Sequence, residues 1–253
     1  MNYLPEKDLL SNRVILVTGA SDGIGKEAAR CYAEHGAEVI ALGRSEEKLS
    51  RVEQEINAIS LHPITTMAFN FSLAQPSDYQ QLAVRIGKKF SHLDGLLHSA
   101  GLLGNIAPIE QQDPLIWQQV MQINVNAQFM LTQALLPLLL KSQSPSLIFT
   151  SSSVGRRGRA HWGAYSVSKF ATEGLMQVLA DEYPASTLRV NCINPGATRT
   201  AMRASAFPQE DPNKLRPPVE IMSPYLYLMG PDSKDVTGTS VDAQPDRKPG
   251  ISR

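Results

Sequence analysis

Six apolar runs of strand length alternate along this chain with stretches of helical period, and that alternation restricts the fold more than any other feature. The runs are Arg13–Thr18, Glu38–Leu42, Ile64–Phe69, Leu93–His98, Ser146–Thr150 and Leu188–Ile193. Between them, apolar side chains recur at helical spacing over Gly23–His35, Glu46–Asn57, Pro76–Phe90, Pro114–Ser142 and Gly163–Tyr183. Strands with so few charges are covered on both faces. The pattern therefore predicts an α/β fold, a Rossmann-like doubly wound parallel sheet of about seven strands with helices on both sides. Right-handed crossovers bring every strand's carboxyl end to one edge, where ligands bind. No linker, repeat or charge block divides the 253 residues, which are read as a single domain.

The tail differs from the rest. Eight of the seventeen prolines follow Phe207 and break any long helix there, so residues 200–224 are expected to form short helices and loops that serve as a substrate lid. Basic and acidic side chains number 24 each, which leaves no net field to draw the molecule onto nucleic acid or an anionic membrane. The longest apolar run, Leu135 to Leu140, falls far short of the ~18 residues of a membrane span, and the amino-terminus lacks the apolar core of a signal peptide. Cys31 and Cys192 make no disulfide framework, so a cytoplasmic protein is expected. The five histidines show no metal-ligand spacing, and no catalytic metal is expected.

The first strand ends in Thr18-Gly19-Ala20-Ser21-Asp22-Gly23-Ile24-Gly25, and an amphipathic helix follows at once. Glycines at such a turn let the backbone bend tightly and approach a pyrophosphate, while the helix amino-terminus offers N–H groups to its oxygens. Gly19, Ser21, Asp22, Gly23, Ile24 and Gly25 are thus candidate dinucleotide ligands. About twenty residues on, an acid would grip the ribose 2′-hydroxyl of NAD. Gly43 stands there instead, and Arg44 follows, whose guanidinium suits a 2′-phosphate. NADP(H) is expected ahead of NAD(H).

Ser152 lies just past the fifth strand, thirteen residues before Tyr165, and Lys169 is one helical turn beyond Tyr165 on the same face. A free phenol, with a pKa of ~10, is a poor base at neutral pH. An ammonium one turn away, with a cationic nicotinamide nearby, is expected to favour the phenolate and bring Tyr165 into range for proton exchange, while Ser152 holds the substrate oxygen.

Taken in order, Thr18-Gly19-x-x-x-Gly23-x-Gly25, Asn124, Ser152, Tyr165-x-x-x-Lys169 and Asn194-Pro195-Gly196 with Thr200 resemble the short-chain dehydrogenase/reductase family along nearly the whole chain. The runs Asn194–Phe207 and Asp242–Ile251 are most like its bacterial YciK-type oxidoreductases. The resemblance implies that Tyr165 is the general acid/base, Ser152 the substrate-orienting hydroxyl, Lys169 a cation that also holds the cofactor ribose, and Asn124 the asparagine of a proton relay. It further implies cofactor contacts from Asn70, Ser99, Ala100, Gly101, Pro195, Gly196, Thr198 and Thr200, a small carbonyl or alcohol substrate, and a homodimer or homotetramer built on the two long helices.

Three departures from the family pattern stand out: His98-Ser99-Ala100-Gly101 with serine in place of asparagine, Asn70 in place of aspartate, and Asp242-Ala243-Gln244 in place of Asp-Gly-Gly. Arg156, Arg157 and Arg159, with Arg199 and Arg203 from the lid, read first as solvated charge, and steering of an anionic substrate is the alternative. The functional reading is an NADP(H)-dependent oxidoreductase. The alternative is a nucleotide-binding sensor or scaffold on the same fold, but such a protein has no physical need to keep Asn124, Ser152, Tyr165 and Lys169 in register.

Overall fold

The structure, a computed structural model, describes residues 3–246; the end of the Asp242–Ile251 run, from residue 247, lies outside them. Seven strands form one parallel sheet: β1 (Val14–Thr18), β2 (Glu38–Gly43), β3 (Thr65–Ala68), β4 (Gly95–His98), β5 (Ser146–Thr150), β6 (Arg189–Asn194) and β7 (Ser240–Asp242). Their order is β3-β2-β1-β4-β5-β6-β7. The order reverses between β1 and β4, which opens a crevice at the carboxyl edge, where a doubly wound sheet binds its ligand.

Alternation along each strand builds two cores. Ile15 and Val17 of β1 face one side with Val39 and Ala41 of β2; Leu16 faces the other with Ile40 and Leu42. The first side is covered by α1 (Gly23–Glu34), α2 (Glu46–Asn57) and α8 (Ser223–Met229), the second by α3 (Pro76–Lys89), α5 (Ala127–Leu139) and α6 (Gly163–Glu182).

Two expectations change. The single helix expected over Pro114–Ser142 is α4 (Pro114–Met121), a wide π-helical turn at Gln122–Asn126, and α5, which ends at Leu139. The extra residue per turn rotates Asn124 inward, where it is fully buried. The tail does form short elements, among them α7 (Ala201–Ala206), but Ile221 and Met222 are buried in the first core. Those residues are structural, so the lid candidate contracts to about 200–214.

Candidate active site

The glycine loop determines how closely other backbone can approach the crevice. Gly19 has φ +66, and a Cβ there would lie 2.8 Å from the backbone of Ala100. At Gly25 a Cβ would come within 2.4 Å of the Gly19 carbonyl oxygen. Only glycine lets β1, the start of α1 and the loop after β4 meet this tightly. Thr18, to which the sequence assigned no role, fastens the loop: its Oγ1 accepts from the backbone N–H groups of Ser99 and Ala100 at 3.0 and 3.1 Å. That clamp stands whatever side chain occupies position 99.

The result is a cleft of about 480 Å³ along the carboxyl edge. Gly19, Ser21, Asp22, Gly23, Ile24 and Gly25 line one end with Arg44, and Asn70 lies beside them. Ser99, Ala100 and Gly101 form the middle, opposite Pro195, Gly196, Thr198 and Thr200. Ser152, Tyr165 and Lys169 close the far end. Every expected site residue therefore lines one cleft except Asn124, which sits behind it. Gly43 is itself closely packed, since a Cβ there would come to 3.1 Å from the side chains of both Ser21 and Leu49. Lys48, unassigned from sequence although only four residues beyond Arg44, also lines the cleft and is bonded to Asp22 at 3.1 Å.

Several expected ligands already have partners. Asn70 Oδ1, expected to accept from an adenine amino group, accepts from the Ser72 N–H at 3.1 Å, so one lone pair is occupied. Thr200 Oγ1 caps α7 by accepting from Arg203 N. The departure at the chain's last strand has a clear role: buried Gln244 donates from Nε2 to the carbonyls of Pro195 and Ala197 at 2.9 and 3.1 Å, and so holds the loop that faces the middle of the cleft.

At the far end, α6 carries Tyr165 and Lys169 while β5 delivers Ser152. The Ser152 hydroxyl and the Tyr165 phenol line this end of the cleft together. Lys169 donates from Nζ to the Thr150 carbonyl at 2.7 Å, and Nζ lies 5.5 Å from the Tyr165 ring centroid. The protein's own groups, taken without a cationic nicotinamide, raise the phenol. Burial pushes Tyr165 up to about 12, only partly opposed by Ser152, and burial takes Lys169 down to about 8. The ammonium is turned toward a backbone carbonyl, and desolvation of the buried phenol sets the direction of its shift.

Asn124 acts on this site from behind. Its Oδ1 accepts from Leu102 N at 2.7 Å, and its Nδ2 donates to Leu102 O at 2.9 Å and to Ser168 Oγ at 3.0 Å. Ser168 in turn donates to the Tyr165 carbonyl, so the side chain links the loop after β4 to the turn of α6 that bears the phenol. Glu173, one turn past Lys169, is buried and accepts from Ser151 and Ser240; it also pairs with Arg156, which reaches Asp242 at 2.9 Å. Arg156 is thus bound to the sheet edge rather than directed at the mouth.

Comparison with known proteins agrees with this geometry. The short chain dehydrogenase family model matches residues 13–211. This chain belongs to that family. It is 62% identical over 253 residues to the uncharacterized oxidoreductase YciK of Escherichia coli (strain K12), covering 100% of both. A short chain dehydrogenase of Shigella flexneri 2a str. 301 complexed with NADP superposes with a TM-score of 0.93 at 62% identity, over 95% of this chain and 100% of that one. One from Escherichia coli CFT073 complexed with NADPH superposes with a TM-score of 0.94 at 63% identity, with the same coverage. As a YciK-type short-chain dehydrogenase, the chain keeps its three departures outside Ser152, Tyr165 and Lys169. Among the described residues no helix is long and apolar enough to cross a membrane.

Proposed function

We propose that this oxidoreductase uses NADP(H) to interconvert the carbonyl and alcohol forms of a small molecule, with Tyr165 as general acid/base. The observation that carries the reading is that Ser152, Tyr165 and Lys169 meet at one end of the cleft whose other end is the glycine loop. A dinucleotide fits that shape: Gly19, Gly23 and Gly25 leave room for a pyrophosphate at the start of α1, and Arg44 with Lys48 supplies cations at the carboxyl end of β2. The NADP and NADPH complexes of the two relatives support the same choice.

When bound, the nicotinamide supplies or accepts the hydride. The protein's residues manage the oxygen and the proton. Ser152 donates to the carbonyl oxygen and holds it beside the phenol. In reduction Tyr165 Oη gives its proton to that oxygen as charge develops on it, and a phenol held neutral well above neutral pH is charged with its proton for this step. In oxidation the proton returns to Tyr165. Lys169 holds α6 against the end of β5 and places a cation beside the ring. Asn124 positions both the Leu102 loop and the Tyr165 turn. Residues 200–214 cover the site as its lid, the protein acts as a single domain, and its two free, buried cysteines suit a reducing cytoplasm.

Apolar side chains at Val167, Phe170 and Val178 of α6 and Phe129 of α5 are exposed, beside a flat spot at Gly174 where a Cβ would meet nothing within 4 Å. That face supports a homodimer or homotetramer.

The deciding experiment is NADPH oxidation over a panel of aldehydes and ketones by wild type and Tyr165→Phe. The variant keeps the ring, so NADPH binding should persist while turnover falls by ~10²-fold or more. Near-native turnover by Tyr165→Phe would refute the acid/base role.

A further inference from the structure

Beyond the phenol, the cleft wall is made of Leu102, Leu103, Trp162, Met202, Arg203 and Ala206. Arg203 is the only charged member, and it is neutralised: Nε and Nη2 donate to the two carboxylate oxygens of Glu210 at 2.6 and 2.7 Å. The same guanidinium lies 3.8 Å above the Phe207 ring. Phe207 packs on Trp162 with centroids 5.8 Å apart, and Trp162 packs on Tyr165 at the same separation. A continuous brace therefore runs from the acid/base through two aromatic rings to an ion pair that closes the lid.

This arrangement discriminates by charge. A carboxylate or phosphate entering here would shed its water and find the wall's one cation already held bidentately by a carboxylate, which it would have to displace. An uncharged ring or alkyl group would lie against Trp162 and its apolar neighbours at no such cost. Resting on the carbonyl chemistry set out above, we propose that the substrate is an uncharged carbonyl compound, or its alcohol, bearing an aromatic or bulky apolar group, and that Glu210 enforces this selectivity by neutralising Arg203. Of the five arginines that could steer an anionic substrate, Arg156 and Arg203 have carboxylate partners.

A matched pair of aldehydes tests this, with NADPH consumption as the readout: methyl 4-formylbenzoate and 4-formylbenzoate, which differ in one charge. Wild type should favour the ester in kcat/KM by ~10-fold or more. Glu210→Gln leaves the Arg203 charge without its carboxylate, so kcat/KM for the acid should rise by ~10-fold with the ester within about threefold. Preference of wild type for the acid, or an unchanged ratio in a folded Glu210→Gln, overturns the proposal. The wild-type ratio alone decides the substrate class if the variant does not fold. Tyr165-dependent turnover of other carbonyls but of neither aldehyde overturns the substrate class only, whereas no Tyr165-dependent turnover of any carbonyl overturns the proposed function as well.

Discussion

Lys169 donates its ammonium to the backbone carbonyl of Thr150 at 2.7 Å, and this bond fixes the helix that carries Tyr165 to the strand that delivers Ser152. Removing it disturbs both the geometry and the charge of the site. In Lys169→Met the stem is retained while the cation and its hydrogen bonds are lost, so turnover and NADPH affinity should fall together, as steady-state kinetics and fluorescence titration would show.

The same lysine has a pH signature. Its pKa is about 8 in the fold against an ordinary 10.5. Between those values the unfolded chain still holds a proton that the folded chain has released, so this group's contribution to stability rises with pH across the window and is least favourable below pH 8. The melting temperature of cofactor-free wild type should therefore gain on that of Lys169→Met as pH climbs from 8 to 10.5. A constant gap would assign the perturbed ammonium elsewhere.

Arg44 and Lys48 both line the glycine-loop end of the cleft, but Lys48 is already paired with Asp22. Arg44→Ala should weaken NADPH binding by ~10-fold or more while NADH binding changes little, since only the former carries the 2′-phosphate. A larger loss in Lys48→Ala would move the phosphate to the lysine.

Gln244 ties down the Pro195–Thr198 loop with two donated hydrogen bonds. Gln244→Ala should cost about 1–3 kcal/mol in a denaturant titration and weaken NADPH binding. Gln244→Glu should be worse at neutral pH, because a buried carboxylate has no N–H to give and faces two carbonyl oxygens. Its deficit relative to Gln244→Ala should shrink in acid as the carboxyl takes up a proton. Equal stability of the two variants at pH 7 would show that the side chain is not held as described.

The exposed face of α6 predicts sedimentation as a multiple of 27.7 kDa at micromolar concentration. Phe170→Glu places a charge in that face and should shift the protein to monomer without loss of secondary structure. A wild-type monomer under the same conditions would dispose of the interface.

The sequence by itself determined the parallel sheet, the glycine loop, the place of Arg44 at the end of β2 and the Tyr165–Lys169 spacing on one helix. Each of these depends on spacing along one element or on a turn between two neighbours. Strand alternation sorted Leu16 from Ile15 and Val17, and one helical turn put the phenol and the ammonium on one face. Trp162 and Glu173 were within the same reach, three residues before Tyr165 and four after Lys169, but helical spacing does not say what lies opposite them. Only the tertiary structure decided that Asn124 turns inward through a π-helical turn, that Gln244 reaches back to Pro195, and that Arg203 finds Glu210 and Phe207. It also decided the burial that raises the Tyr165 phenol to about 12. The physical reason is common to all of these. Hydrogen-bond partners, ion pairs and desolvation depend on which atoms other segments bring within a few ångströms, and no local pattern records that.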